Sequence, residues 1–196
     1  MPRNSRVGAA GLLFAGLLLA ACTSQVPGNA GGETGAATTT QSTSSAKPPV
    51  RPSAIKVDGL DPCQGLTADQ MKQLAVDRSV RNDTDLVKKS KVPVCRFSSR
   101  ATGNGYSVGY IADESLDYWR SGGGNVDKKN VQIAGYDSIR INLSGASADC
   151  SFWIDVADGQ MLYVDYIPLD TQSLDEVCAK AQQGAEMALA TLKTLR

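Results

Sequence analysis

Four cysteines beyond position 60 constrain this chain more than any other feature. Cys63, Cys95, Cys150 and Cys178 are an even set at long spacings, with no Cys-x-x-Cys among them. In an exported chain such a set reads as two disulfides. It does not read as a zinc or redox site. The fold must then bring distant stretches into covalent contact, and the question becomes whether the chain is exported.

The amino terminus says that it is. Met1 to Val7 carries Arg3 and Arg6 and no acid, and Val7 to Ala21 is apolar or small throughout. A basic start, a short apolar run and small residues before a cut make a secretory signal. The run is shorter than the roughly 20 apolar residues of a spanning helix. Leu19-Ala20-Ala21-Cys22 then has the form of a lipobox, the bacterial lipoprotein processing signal. The thiol is alkylated, and cleavage falls before Cys22. A diacylglycerol there supplies two chains at about 0.8 kcal/mol per buried CH₂, enough for stable anchoring. The chain divides into a signal peptide (1–21), a lipidated Cys22 with a tether (22–55), and one domain (56–196). The expected place is the outer face of the cell membrane, with acyl chains such as palmitate as the anchor.

The tether is rich in Gly, Ser, Thr and Pro, with Thr38-Thr39-Thr40 and Pro48-Pro49. It has almost nothing apolar to bury, so disorder is expected. A flexible coil of about 30 residues has an end-to-end distance of roughly 30 Å. Ser44-Ser45-Ala46-Lys47 and Ser53-Ala54-Ile55-Lys56 match Ser-x-x-Lys, but the companion motifs of penicillin-binding enzymes are missing.

Composition removes several functions. The chain has no histidine, which removes the commonest general base and the commonest zinc ligand together. Ser-His-Asp and Cys-His catalysis are excluded within the chain, and no metal or cofactor is expected. Of 20 basic and 20 acidic residues the signal holds two basic ones. The remainder therefore has 18 basic against 20 acidic residues, a net −2. A nucleic-acid partner, which would want a basic patch, is not expected.

Within the domain, Thr67-Ala68-Asp69-Gln70 fits a capping box flanked by Leu66 and Met71 as a staple, and predicts a helix from Ala68 to about Val76. Asp77 to Lys91 is polar and reads as a solvated loop or irregular edge. Val92 to Ser98 and Tyr106 to Ile111 read as strands. Asp113 caps a short helix bearing Leu116 and Trp119, which Ser121-Gly122-Gly123-Gly124 ends. The glycines lack the Gly-Lys-Ser/Thr that a phosphate loop needs. Val131 to Ala134 and Ser138 to Leu143 are two more strands.

Cys150 to Val156 and Met161 to Ile167 form a hairpin whose register can be argued. A two-residue Asp158-Gly159 turn would put Asp165 on the apolar face. A three-residue loop with Gly159 in the left-handed region shifts the register by one. Cys150, Phe152, Ile154 and Val156 then share a face with Leu162, Val164 and Tyr166. Ser151, Trp153 and Asp155 share the other with Met161, Tyr163 and Asp165. This register separates polar from apolar residues and is the one expected. A final helix starts at Ser173, with a stripe through Leu174, Val177, Cys178, Ala181, Ala185, Leu189 and Leu192 at helical spacing. Cys178 on that stripe and Cys150 on the apolar strand face meet in one core. Cys150–Cys178 follows, leaving Cys63–Cys95, each closing a loop of about 30 residues worth roughly 3–4 kcal/mol. The expected fold is α+β: an antiparallel sheet, the carboxy-terminal helix packed on one face, one or two short amino-terminal helices, and two disulfides.

Two candidate sites stand out. Gly145-Ala146-Ser147-Ala148-Asp149 half-matches a nucleophile elbow but lacks its last glycine and any histidine. Asp155 and Asp165 beside Trp153 and Tyr163 pair two acids with an aromatic platform, as sugar-handling sites do. The plainer reading, which we prefer, is a solvated face with an aromatic cross-strand pair.

Leu60-Asp61-Pro62-Cys63, Leu66-Thr67 opening a helix, Val94-Cys95-Arg96-Phe97, Cys150 leading a Val-rich hairpin, and Cys178 among alanines together resemble the actinobacterial lipoprotein family named domain of unknown function 3558. Phe97 stands where Trp is expected. The resemblance implies a secreted, anchored envelope domain and transfers no catalytic residue. The layout is more loosely similar to extracellular sensor domains of actinobacterial receptor kinases. The leading expectation is a non-enzymatic envelope lipoprotein that binds a ligand or partner. The alternatives are a carboxylate-dependent enzyme on wall glycan or lipid, and an accessory subunit of a membrane complex.

Overall fold

The structure is a computed structural model describing residues 51–87, 90–145 and 149–195. The signal, Cys22, most of the tether and three residues of the elbow-like stretch lie outside them. The strands are β1 (Arg78–Val87), β2 (Ser90–Ser98), β3 (Gly105–Ile111), β4 (Val126–Ile133), β5 (Tyr136–Leu143), β6 (Cys150–Ala157) and β7 (Gln160–Ile167). The helices are α1 (Ala68–Gln73), α2 (Leu116–Ser121) and α3 (Leu174–Leu192), with a 3-10 turn at Pro62–Gln64. The seven strands form one sheet in the order β1-β2-β3-β7-β6-β5-β4, and every pairing is antiparallel. After β3 the chain crosses to the far edge through α2. It then returns as a meander that sets β7 beside β3.

The α+β class is as the sequence implies, and so is the central hairpin. Phe152 pairs with Val164 and Trp153 with Tyr163, while β6 carries one extra residue before Ala157 meets Gln160. Gly159 sits at φ 66°. Both helix starts have the full reciprocal cap, Thr67 with Gln70 and Ser173 with Glu176. The disulfides Cys63–Cys95 and Cys150–Cys178 are both formed.

The inner face carries the larger core. Cys95, Phe97, Val108, Phe152, Ile154 and Val164 meet the stripe of α3, from Val177 to Leu192. Gly184 lies in that stripe because a Cβ there would stand 2.6 Å from Tyr106 Cδ1. The helix can lie this close to β3 only without a side chain.

Three readings are corrected and one is decided between its alternatives. Of loop or irregular edge for Asp77 to Lys91 the edge holds: Arg78–Val87 is a mostly exposed edge strand with a register shift between Thr84 and Val87. Its polarity on both faces hid it from a period-2 search. α1 stops at Gln73, because Ala75 turns left-handed at φ 55° and sends Val76 back to bond Met71 O. α2 is capped at Ser115, not Asp113, and without a side-chain bond. β4 and β5 are longer than expected and join through Ala134-Gly135, both at positive φ. That is a tight hairpin turn with Ala where Asn or Gly is usual.

The composition boundary at Lys56 also differs from the packing. Ile55 is buried and donates its N–H to Val156 O at 2.7 Å. Val57 N–H donates to Gln160 Oε1, and Gln160 Nε2 to Asp58 Oδ2. Arg51 to Ile55 therefore lie against the hairpin end and are not free tether.

Candidate functional site

The outer face of the sheet, expected to be solvated, holds a second apolar cluster. Val87, Val92, Val94, Ile111, Ile139, Ile141, Trp153, Met161 and Tyr163 make it up, together with Leu116 from α2. Trp153 is 4% exposed and Tyr163 8%. The aromatic cross-strand pair exists, with ring centroids 4.6 Å apart, but it is core. The cover was readable in part: Leu116 and Trp119, three apart on α2, make an apolar side. α3 already occupies the inner face, so the outer face is where that side can go.

Trp119 extends the cluster outward. Its ring stacks on Trp153, and Tyr118 meets it edge-on at 5.5 Å. Trp153 Nε1 donates to Ser151 Oγ at 3.1 Å, and that hydroxyl donates to Ile141 O. Trp119 Nε1 is buried without a partner, a rarity for a buried donor. Lys128 from β4 donates to the carbonyls of Trp119 and Gly122. These are orphan acceptors at the end of α2, where a cation also suits the helix dipole. The lysine thus pins α2 to the sheet edge. Beside Trp119 runs a groove of about 370 Å³, lined by Tyr118, Gly123, Val126, Lys128 and Ile141. Tyr118 is 37% exposed, and Leu143, cross-strand to Val126, is 46% exposed.

The two carboxylates sit apart. Asp155 faces Met161, and Asp165 faces Ser151, four residues along β6. At about 3.3 Å per residue that is roughly 13 Å along the strands, with Trp153 and Tyr163 between. Paired glycosidase acids stand about 5–9.5 Å apart. Asp155 and Asp165 cannot flank one glycosidic bond.

Each has its own setting. Arg51 reaches Asp155 at 3.3 Å and the exposed Asp158 at 2.8 Å. Burial raises the Asp155 pKa, Arg51 opposes the rise, and Asp137 and Asp158 add to it. Asp165 is 6% exposed and its Oδ1 has no partner. Burial pushes its pKa up to about 7, and nearby Asp149 adds to this. The hydrogen bond from Tyr163 and the charge of Arg96 work against it.

A second cleft, of about 230 Å³, lies between Leu60, Arg81, Pro93 and Tyr110. Burial there raises the Tyr110 phenol to about 12, and Asp61 adds to the rise. Among the described residues no cluster of His, Cys, Asp or Glu could hold a metal ion, and no helix is long and apolar enough to cross a membrane.

A family model described as "Protein of unknown function (DUF3558)" matches residues 17–191. No curated protein and no solved structure matches the chain.

Proposed function

The chain belongs to the DUF3558 family, and from that premise we propose that it is a lipid-anchored lipoprotein of actinobacterial type. In this reading its domain stands on the outer face of the cell membrane and binds an envelope ligand or partner without catalysis. The observation that carries the binding role is the groove beside Trp119. An aromatic floor, an apolar wall from Val126 and Ile141, and a glycine rim form a small concave site of the kind ligands use. The enzyme reading loses its acid pair, because Asp155 and Asp165 are separated and Asp155 is held by Arg51.

The anchor rests on Leu19-Ala20-Ala21-Cys22. Cys22→Ala tests it by intact mass and fractionation. The expected outcome is an unprocessed chain or one released from membranes. Unchanged mass and unchanged membrane retention would remove the anchor from the reading.

A further inference from the structure

The sheet has two edges, β1 and β4, and their charges are arranged differently. β1 is exposed from Arg78 to Asp83 and pairs regularly with β2 as far as Thr84, where its register shifts before the buried Val87, and among the described residues no strand pairs with its outer side. Such an edge is a template for another strand. Its basic residues, Arg78 and Arg81, lie in the first half, and its acidic ones, Asp83 and Asp85, in the second. Arg81 and Asp83 face the same side, opposite Cys95 and Pro93 of β2, and Asn82 faces the other.

We propose that β1 pairs antiparallel with β1 of a second copy, about a two-fold axis at Asn82, to make one continuous sheet across both chains. Residues opposite each other in an antiparallel pair point to the same side. A sheet that keeps its inner faces together must therefore match odd positions with odd and even with even. Centred on Asn82, Arg81 meets Asp83 of the second copy, and by symmetry the contact occurs twice. Val80, 47% exposed in the single chain, meets Thr84. The neighbouring registers fail. Centring on Arg81 sets two guanidinium groups opposite each other, and centring on Asp83 sets two carboxylates opposite. Like charges directly opposed are destabilising, so both neighbouring registers are disfavoured against the one centred on Asn82.

β4 has no such solution. Asp127 is its one acid, with Lys128 and Lys129 beside it. The register that matches Asp127 with Lys129 centres on Lys128 and opposes the two ammonium groups. β4 is guarded, and β1 is self-complementary. The ion pairs that β1 makes within one chain are exposed, Arg81 to Asp61 at 3.2 Å and Lys91 to Asp85 at 2.6 Å. Exposed pairs contribute little, so they do not hold β1 back from pairing.

The axis supplies the test, which does not depend on the groove or the anchor. Opposed residues in an antiparallel pair have Cα atoms about 4.5–5.5 Å apart, within the disulfide range. The full chain carrying Asn82→Cys is held under mild oxidation and run on a non-reducing gel. Ser79→Cys is the control, because its own symmetry mate lies six residues along, roughly 20 Å away. The expected result is at least tenfold more covalent dimer for Asn82→Cys than for Ser79→Cys. Adding Arg81→Asp should abolish it, and adding Asp83→Arg to that variant should restore it. A monomeric Asn82→Cys chain, equal dimer in the control, or dimer indifferent to Arg81→Asp would overturn the proposal.

Discussion

Trp119 and Trp153 stack with ring centroids 3.8 Å apart and planes 26° from parallel, and they are the chain's two tryptophans. One belongs to the sheet and is buried. The other rides on α2, half-buried at the lip of a groove. The stack therefore joins the outer core to the candidate site, and the two residues should respond differently to truncation.

Trp153→Ala should destabilise the domain by about 3–5 kcal/mol, as Phe152→Ala on the inner face should, since both remove a buried aromatic. Trp119→Ala should cost less than half of that. Urea midpoints for the three variants check the ordering. A Trp153→Ala chain nearly as stable as the parent would mean that the outer face is open.

Asp165 makes stability depend on pH in a definite direction. Its folded pKa, about 7, lies above the unfolded value of 3.8. Between those values the unfolded chain has lost the proton and the folded chain keeps it. Stability from this group is thus full below about pH 4, falls as the pH rises toward 7, and is flat beyond. Asp165→Asn should raise the melting temperature at pH 8 and do little at pH 4. Equal effects at both would show that this carboxyl titrates normally in the folded chain.

Gly184 and Gly123 form a matched pair of alanine tests. At Gly184 the added methyl meets the Tyr106 ring, itself tilted against Tyr166 with centroids 4.9 Å apart. The cost should be about 1–3 kcal/mol, as for overpacking. At Gly123 nothing lies within 4 Å, so the change should be near neutral. Thermal melts of both variants read the difference.

The sequence and the structure part where polarity stops tracking burial. The hairpin register was legible because each face of Cys150–Ile167 has one polarity in only one alignment. The disulfides followed from that register and the stripe of α3. β1 was legible only as one of two readings, loop or irregular edge, since an edge strand with both faces wet has no alternation to read. The end of α1 was missed for a local reason: Ala75 occupies a left-handed position where glycine would have announced a turn. The site was read one layer too deep. Trp153 and Tyr163 drew notice as a pair, while Trp119, 34 residues earlier, forms the surface that a ligand would meet. Nothing in the tether's composition announced that Arg51 would dock on Asp155.

The binding claim is tested most directly by the fluorescence of the stack itself. Trp153→Phe keeps an aromatic in the core and leaves Trp119 as the sole indole, so emission reports on the groove. Glycan and lipid fractions of the cell envelope are titrated into the full chain carrying this substitution. A saturable change in emission from at least one fraction is expected, and it should vanish when Val126→Lys is added to fill the groove wall. No change with any fraction, or a change that persists with Val126→Lys, would contradict a ligand site beside Trp119.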